Sequence, residues 1–317
     1  MSKKILANDG IDNKGKELLE KAGYTVVTEK VPQDKLAIEI NAHHYVALTV
    51  RSATKVRKDV IDACPGLKVI GRGGVGMDNI DVDYARGKGL HVINTPAASS
   101  HSVAELVFAH FFGMVRFLHD SNREMPAKGN TEFEALKKKY AKGIELKGKT
   151  LGIIGFGRIG QEVAKIGLGL GMKVIAHDPF LKEAMIELDI QSHSPVKIKI
   201  ETVPMDKVLE TSDFITLHVP GGKVIGADQF AIMKNGVCIV NAARGGVIEE
   251  HDLIEALNSG KVAHAALDVF VNEPAPMKEL LTHEKISLTP HIGAATEEAQ
   301  ERIGIELAEK MIAALSS

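Results

Sequence analysis

The sequence predicts an α/β fold of two doubly wound parallel-sheet lobes, and three observations carry that expectation. Short β-branched runs alternate with helical patterns along most of the chain, the pattern of parallel sheets covered by helices on both faces. The alternation stops near Thr95-Pro96 and restarts at "GKTLGIIGFG" after a long amphipathic stretch. The length, 317 residues, is too great for one ordinary core and suits two domains.

The first lobe should hold the strands "KILAND", "YTVVTE", "YVALTV", "KVIGR" and "HVINT", with helices between them, for example over residues 14–22 and 81–88. Residues 102–123 form one long apolar-periodic stretch, read as a crossover helix. The second lobe continues after "LGIIGFG" with "KVIAHD", "FITLHV", "VCIVNAA", "AHAALDVF" and "ISLTPH". Residues 192–199 are polar, carry a proline and are expected to be a loop. Residues 296–315 should be a helix, from the Ile303, Leu307, Met311, Leu315 spacing and an acidic start. The basic run "LKKKYAKG" suits a solvated surface or an anion-attracting rim.

Composition narrows the function classes. Apolar content is 44% and charged content 25%, as in soluble globular proteins. A formal charge of −2 gives no attraction to nucleic acid or an anionic membrane. Trp is absent and aromatics are 4%, which disfavours base-stacking platforms. No stretch has the ~18–20 apolar residues of a membrane span, and the start of the chain has no secretory pattern. Cys64 and Cys238 stand far apart, outside any CxxC, and read as buried residues of a reduced cytoplasm. No HExxH, Cys/His cluster or GxSxG elbow is present, so metal and nucleophilic-serine chemistry are not expected.

The chemistry-bearing motif is "LGIIGFGRIG", in which Gly155, Gly157 and Gly160 fit GxGxxG. The first glycine allows a tight turn, the second lets a pyrophosphate approach the backbone, and the third lets the next helix pack closely. That helix should begin near Arg158 and point its amides and dipole at phosphates. Asp178 ends the next strand at the distance expected for a ribose-binding carboxylate, which favours NAD over NADP. It also suits a capping aspartate before Pro179, and Lys182 nearby would soften the cofactor preference.

Downstream lie a cation, a carboxylate and an imidazole: Arg244, Glu273 and His291. A neutral imidazole can take a hydroxyl proton while hydride leaves the same carbon. A carboxylate can orient that imidazole. A guanidinium fork can hold a carboxylate and polarise a carbonyl. Each also has an ordinary reading: one of 13 histidines, a loop glutamate before Pro274, an arginine entering a helix.

The segments "GRGGVGMDNIDVDYARGKGLHVINTP", "SVAEL", "ELKGKTLGIIGFGRIG", "MKNGVCIVNAARGGVIEE", "ALDVFVNEP" and "LTPHIGAATEEA" together resemble the D-isomer-specific 2-hydroxyacid dehydrogenases. They span nearly the whole chain in that family's order, and "VRSATKV" with "GGVGMDNID" is most similar to its phosphoglycerate dehydrogenase branch.

The resemblance implies a flavodoxin-like substrate lobe, residues 1–95 plus 291–317, and an inserted Rossmann NAD lobe, residues 96–290, with the site in the cleft between them. It implies a dimerisation arm over residues 102–148 and a homodimer. Arg244, Glu273 and His291 would be catalytic. Gly155, Gly157, Arg158, Ile159, Gly160, Asp178, Val219, Ala242, Ala243, Arg244, Asp268, His291, Gly293 and Ala294 would contact NAD, with Asp268 at the nicotinamide end. Gly74 and Val75 would offer amides to a substrate carboxylate. Arg51 and Ser52 would stand at the substrate mouth, with Arg51 the phosphate ligand.

The implied reaction is oxidation of 3-phospho-D-glycerate, a phosphorylated 2-hydroxy acid, to 3-phosphohydroxypyruvate in serine biosynthesis. Alternatives are glyoxylate, hydroxypyruvate or D-lactate-type acids, and a non-enzymatic NAD-sensing corepressor. Glu273 stands where formate dehydrogenases carry Gln, which argues against formate. Departures are Gly73 in place of Ala, Ser99-Ser100 in place of Asn-Thr, and a short loop after Val219-Pro220. Long phosphoglycerate dehydrogenases carry C-terminal serine-feedback domains; with the sequence ending at Ser317, no serine inhibition is expected.

Overall fold

The computed structural model describes residues 3–316, which divide into two compact units. One holds residues up to Ser100 and those from Ala294 onward; the other is His101–Gly293.

In the first unit, β1 (Lys4–Ala7), α1 (Asn13–Lys21), β2 (Thr25–Val27), α2 (Leu36–Ala42), β3 (Tyr45–Val50), α3 (Lys58–Ala63), β4 (Val69–Arg72), α4 (Val82–Gly87) and β5 (His91–Asn94) follow in turn. The strands are parallel in the order β2-β1-β3-β4-β5, the flavodoxin-like order. Alternation along the strands separates two cores. Leu6, Leu48, Val50 and Ile70 pack with Leu36, Ile40 and Ile61 on one face. Ile5, Ala7, Ala47 and Val69 pack with Leu19, Leu307 and Met311 on the other. The last two lie on the C-terminal helix (Glu297–Ser316), so the expected periodicity there is its buried stripe.

The second unit opens, from His101 onward, on α5 (Ser100–Val115), α6 (Leu118–Lys128) and α7 (Phe133–Lys139). One helix was expected over residues 102–123; the structure breaks it at Phe117, which is left-handed at φ 52°. The reason is a change of environment. Val107, Phe108, Phe111 and Met114 of α5 are buried, whereas α6 buries no residue. Phe117 turns its ring onto Tyr140 and His264, and the Ile144 amide donates to the Val115 carbonyl.

The sheet follows: β6 (Thr150–Ile154), α8 (Arg158–Gly169), β7 (Lys173–His177), a hairpin of β8 (Glu183–Leu188) and β9 (Val196–Glu201), α9 (Met205–Thr211), β10 (Phe214–Leu217), α10 (Ala227–Ile232), β11 (Val237–Asn241), α11 (Glu250–Asn258), β12 (Val262–Leu267), α12 (Lys278–Thr282) and β13 (Ile286–Leu288). The C-terminal helix is α13. Six parallel strands run β13-β12-β11-β10-β6-β7, and their near-continuous apolar sequences reflect burial on both faces.

The loop expected over residues 192–199 is a correction: its second half is β9. The alternation was there to read. Ile186 and Ile200 point inward, while Lys197 pairs with Glu187 and Lys199 with Glu183 across the strands.

Both parallel sheets have a switch point where strand order reverses, the place where such sheets bind ligands at their carboxyl ends. In the first unit it lies between β1 and β3, in the second between β6 and β10.

Candidate active site

At the switch point of the second unit, Gly155 follows β6 with φ 91°, and a Cβ there would strike the His218 carbonyl. Gly160 faces the Gly155 carbonyl just as closely, so α8 packs hard against the turn. Gly157 differs: a methyl there would meet nothing within 4 Å. Two glycines thus serve packing and one leaves open backbone beside the first amides of α8, at Arg158 and Ile159. That division fits a pyrophosphate.

Asp178 follows β7. Its Oδ2 accepts from the Phe156 amide at 2.8 Å, and its Oδ1 from the Phe180 and Leu181 amides at 2.9 and 3.1 Å. The carboxylate therefore caps its own turn and ties it to the glycine loop.

Arg244 sits on a turn after β11 that is built by Asn241. Asn241 is 2% exposed; its Oδ1 accepts from the Ala243 amide at 3.0 Å and its Nδ2 donates to the Arg244 carbonyl at 2.9 Å. The Arg244 Nη1 donates to the Ala243 carbonyl at 2.7 Å. Gly245 lies against the Phe270 carbonyl so closely that no side chain fits. The arginine turn therefore packs on the segment that leads to Glu273. Buried Glu250 pins the same segment by accepting from the Val271 amide at 2.9 Å.

Glu273 and His291 meet. The Glu273 Oε2 lies 2.8 Å from His291 Nδ1, and its Oε1 accepts from the Phe270 amide at 3.0 Å. With Nδ1–H directed at the carboxylate, Nε2 is the nitrogen left for proton exchange. His291 has φ 56°, a conformation that costs a non-glycine residue about 1 kcal/mol or more. Asp268 holds it there: Oδ1 accepts from the Ile292 amide at 2.8 Å and Oδ2 from the Gly293 amide at 2.9 Å. Asp268 is 1% exposed.

Burial displaces the titration of a histidine and a cysteine elsewhere in this unit. Burial pushes the His218 imidazole down to about 3 and the Cys238 thiol up to about 12. Neither cysteine is reactive on these grounds, since burial also raises Cys64.

In the first unit, Arg51, Gly74 and Val75 lie at the carboxyl ends of the neighbouring strands β3 and β4. Arg51 follows β3, and Gly74 and Val75 follow β4. The Gly73 amide donates to the Val50 carbonyl at 2.9 Å, which joins the two loops. Sequence reasoning missed what fixes the Arg51 loop. Asp9, after β1, accepts from the Arg51 amide at 2.8 Å, the Thr54 amide at 3.0 Å and the Thr54 hydroxyl at 2.8 Å. Asn79 Nδ2 donates to the Arg51 and Thr54 carbonyls at 2.7 and 2.6 Å. Burial pushes the Asp9 carboxyl up, but these bonds and Lys30 outweigh it and hold it below its usual range. The signal available was a polar pair, Asn8-Asp9, at the carboxyl end of a buried strand.

Among the described residues, no group of three His, Cys, Asp or Glu side chains is placed to hold a metal ion. No helix among them is long and apolar enough to cross a membrane.

The family model of the D-isomer specific 2-hydroxyacid dehydrogenase NAD binding domain matches residues 108–293. A Thermotoga maritima protein named hydroxypyruvate reductase is 45% identical over 316 residues, covering 97% of each chain. A Methanocaldococcus jannaschii D-3-phosphoglycerate dehydrogenase is 42% identical over 97% of this chain, which spans 56% of that protein's length. The crystal structure of the TT0316 protein from Thermus thermophilus aligns with a TM-score of 0.84 at 28% identity, over 99% of this chain and 97% of that one. Glycine turn, cofactor-domain match and end-to-end similarity agree: the chain belongs to the D-isomer specific 2-hydroxyacid dehydrogenase family and carries its NAD-binding domain.

Proposed function

We propose that the protein oxidises 3-phospho-D-glycerate to 3-phosphohydroxypyruvate with NAD, the first step of serine biosynthesis. What supports this reading is the placement of Arg51, which would give the site a second anion-binding element. Arg51 stands on a loop clamped by Asp9 and Asn79, and its stem lies beside Gly73, which precedes Gly74 and Val75 in the chain. A substrate with a carboxylate and a phosphate needs both a backbone-amide cradle and a guanidinium.

Bound NAD supplies the hydride acceptor. Gly157, Arg158 and Ile159 would hold its pyrophosphate and Asp178 its ribose. As hydride leaves the substrate's C2, the hydroxyl proton passes to His291 Nε2 and a ketone remains. Glu273 keeps Nδ1–H directed away from the substrate and stabilises the imidazolium that forms. Arg244 stabilises charge on the substrate oxygen. In the reverse direction, imidazolium returns the proton to the alkoxide.

A second reading, reduction of hydroxypyruvate, is favoured by the full-length similarity to the Thermotoga hydroxypyruvate reductase. Arg51→Ala separates the two. Losing one buried or clamped charge partner costs about 2–5 kcal/mol. The phosphate reading therefore expects kcat/KM to fall about 100-fold for 3-phosphoglycerate, and less than about 3-fold for D-glycerate. An equal loss on both substrates would remove Arg51 as the phosphate ligand and favour the unphosphorylated acid.

A further inference from the structure

His110 is an imidazole in an apolar helix. Its neighbours on α5, Val107, Phe108, Phe111 and Met114, are core residues, and His110 itself is 5% exposed. A leucine would fill such a position without burying two polar nitrogens. Both nitrogens are nevertheless satisfied. Nδ1 lies 2.9 Å from the Ser287 hydroxyl and Nε2 lies 3.1 Å from the Thr289 hydroxyl.

The hydrogens can be assigned from the far end. The Thr289 hydroxyl donates to Asp268 Oδ1 at 2.7 Å. It has only one hydrogen, so toward His110 it accepts, and Nε2 carries the ring hydrogen. Nδ1 then accepts from Ser287. Burial, opposed only by the charge on Asp268, lowers the pKa of His110 and favours this neutral ring. Every donor points the same way: Ser287 to His110, His110 to Thr289, Thr289 to Asp268. Hydrogen bonds aligned in this sense polarise and strengthen one another.

The chain ends on a carboxylate that is 1% exposed. No Lys or Arg is paired with Asp268 by a salt bridge among the described residues; its charge is met by Thr289 and by the Ile292 and Gly293 amides. Those two amides follow His291 directly and hold it at φ 56°. A buried carboxylate stays fixed only while its donors stay fixed.

We propose that Ser287, His110 and Thr289 form a one-way hydrogen-bond relay that fixes Asp268 and, through it, the turn carrying His291. His110 is then a positioning residue for proton transfer, remote from the reacting atoms. The proposal rests on His291 as the proton carrier.

The test compares His110→Leu, Thr289→Val and the double variant with the wild type, on the 2-hydroxy acid the enzyme uses best. A displaced reacting group can cost up to about 100-fold. A loosened turn is expected to cost each single variant about 10-fold in kcat, with KM for NAD within about 2-fold. The double variant should match the worse single, because both cut one chain. His110→Gln, whose amide can accept from Ser287 and donate to Thr289, should recover most of the loss.

A purely structural role would lower the melting temperature of His110→Leu yet leave kcat within about 2-fold, and that result overturns the relay. So does a double variant whose loss is the product of the two singles. Should His110→Leu fail to fold, Ser287→Ala with Thr289→Val carries the same comparison. His291→Gln is the control. If it is inactive while His110→Leu is fully active, the relay alone fails. If it retains wild-type kcat, the reading of His291 fails and the relay with it.

Discussion

Replacing Asp9 by alanine should loosen the Arg51 loop, and the structure sets the size of the effect. The Asp9 side chain is 4% exposed. It takes two amides, one hydroxyl and the Lys30 ammonium. Lys30 is 61% exposed, so losing that pair costs at most about 1 kcal/mol. The Arg51 and Thr54 amides matter more, since each unsatisfied buried donor costs about 1–3 kcal/mol. Ser52 and Ala53 between them are exposed, so water reaches part of the loop and the lower end applies. The sum is about 2–4 kcal/mol, measured as a shift in urea midpoint at unchanged slope. The same change should raise KM for the hydroxy acid about 10-fold, with kcat falling less.

The pH dependence follows from the same bonds. The folded carboxyl titrates below its usual range. Its stabilisation is therefore complete above the unfolded carboxylate pKa and is lost as pH falls through the lower, folded value. Asp9→Asn should flatten that acid limb while keeping one oxygen for the amides. An alanine variant with wild-type stability and wild-type KM would refute the clamp.

Two further outcomes are expected. Asp178→Ser should raise KM for NAD at least about 10-fold and also destabilise the second unit, because three amides lose their acceptor; an unchanged KM for NAD would exclude the ribose contact. His218, held at about 3 by burial, is protonated far more readily in the unfolded chain, so its contribution to stability should be complete above pH ~6.5 and drain away between there and pH ~3. His218→Phe should shrink the stability change across that window, and urea titrations at several pH values would expose an unchanged curve as contrary evidence.

The legible parts of the fold were those with local signatures. Gly155, Gly157 and Gly160 lie within six residues of one another, and their spacing puts two against packed backbone and one beside open space. Strand alternation likewise marked both sheets. Tertiary effects were not legible. The stretch 102–123 keeps helical periodicity across Phe117, and the turn there goes with contacts to distant residues, the Phe117 ring on Tyr140 and His264 and the Ile144 amide on the Val115 carbonyl. Residues 196–199 looked like loop because Pro195 and the polar run before them outweighed a short alternation, which Ile186 across the hairpin completes. In the candidate site, Glu273 and His291 are brought together by the fold. Asp9 and His110 carry no motif, because each acts on residues far along the chain.

The most direct test of the proposed activity is kcat/KM for NADH formation with 3-phospho-D-glycerate, D-glycerate and D-lactate on one preparation of the wild-type protein. A preference for the phosphorylated acid of at least about 10-fold, some 1.4 kcal/mol of transition-state binding, is the predicted result. Activity on the unphosphorylated acids alone would contradict it and move the enzyme to the hydroxypyruvate reading.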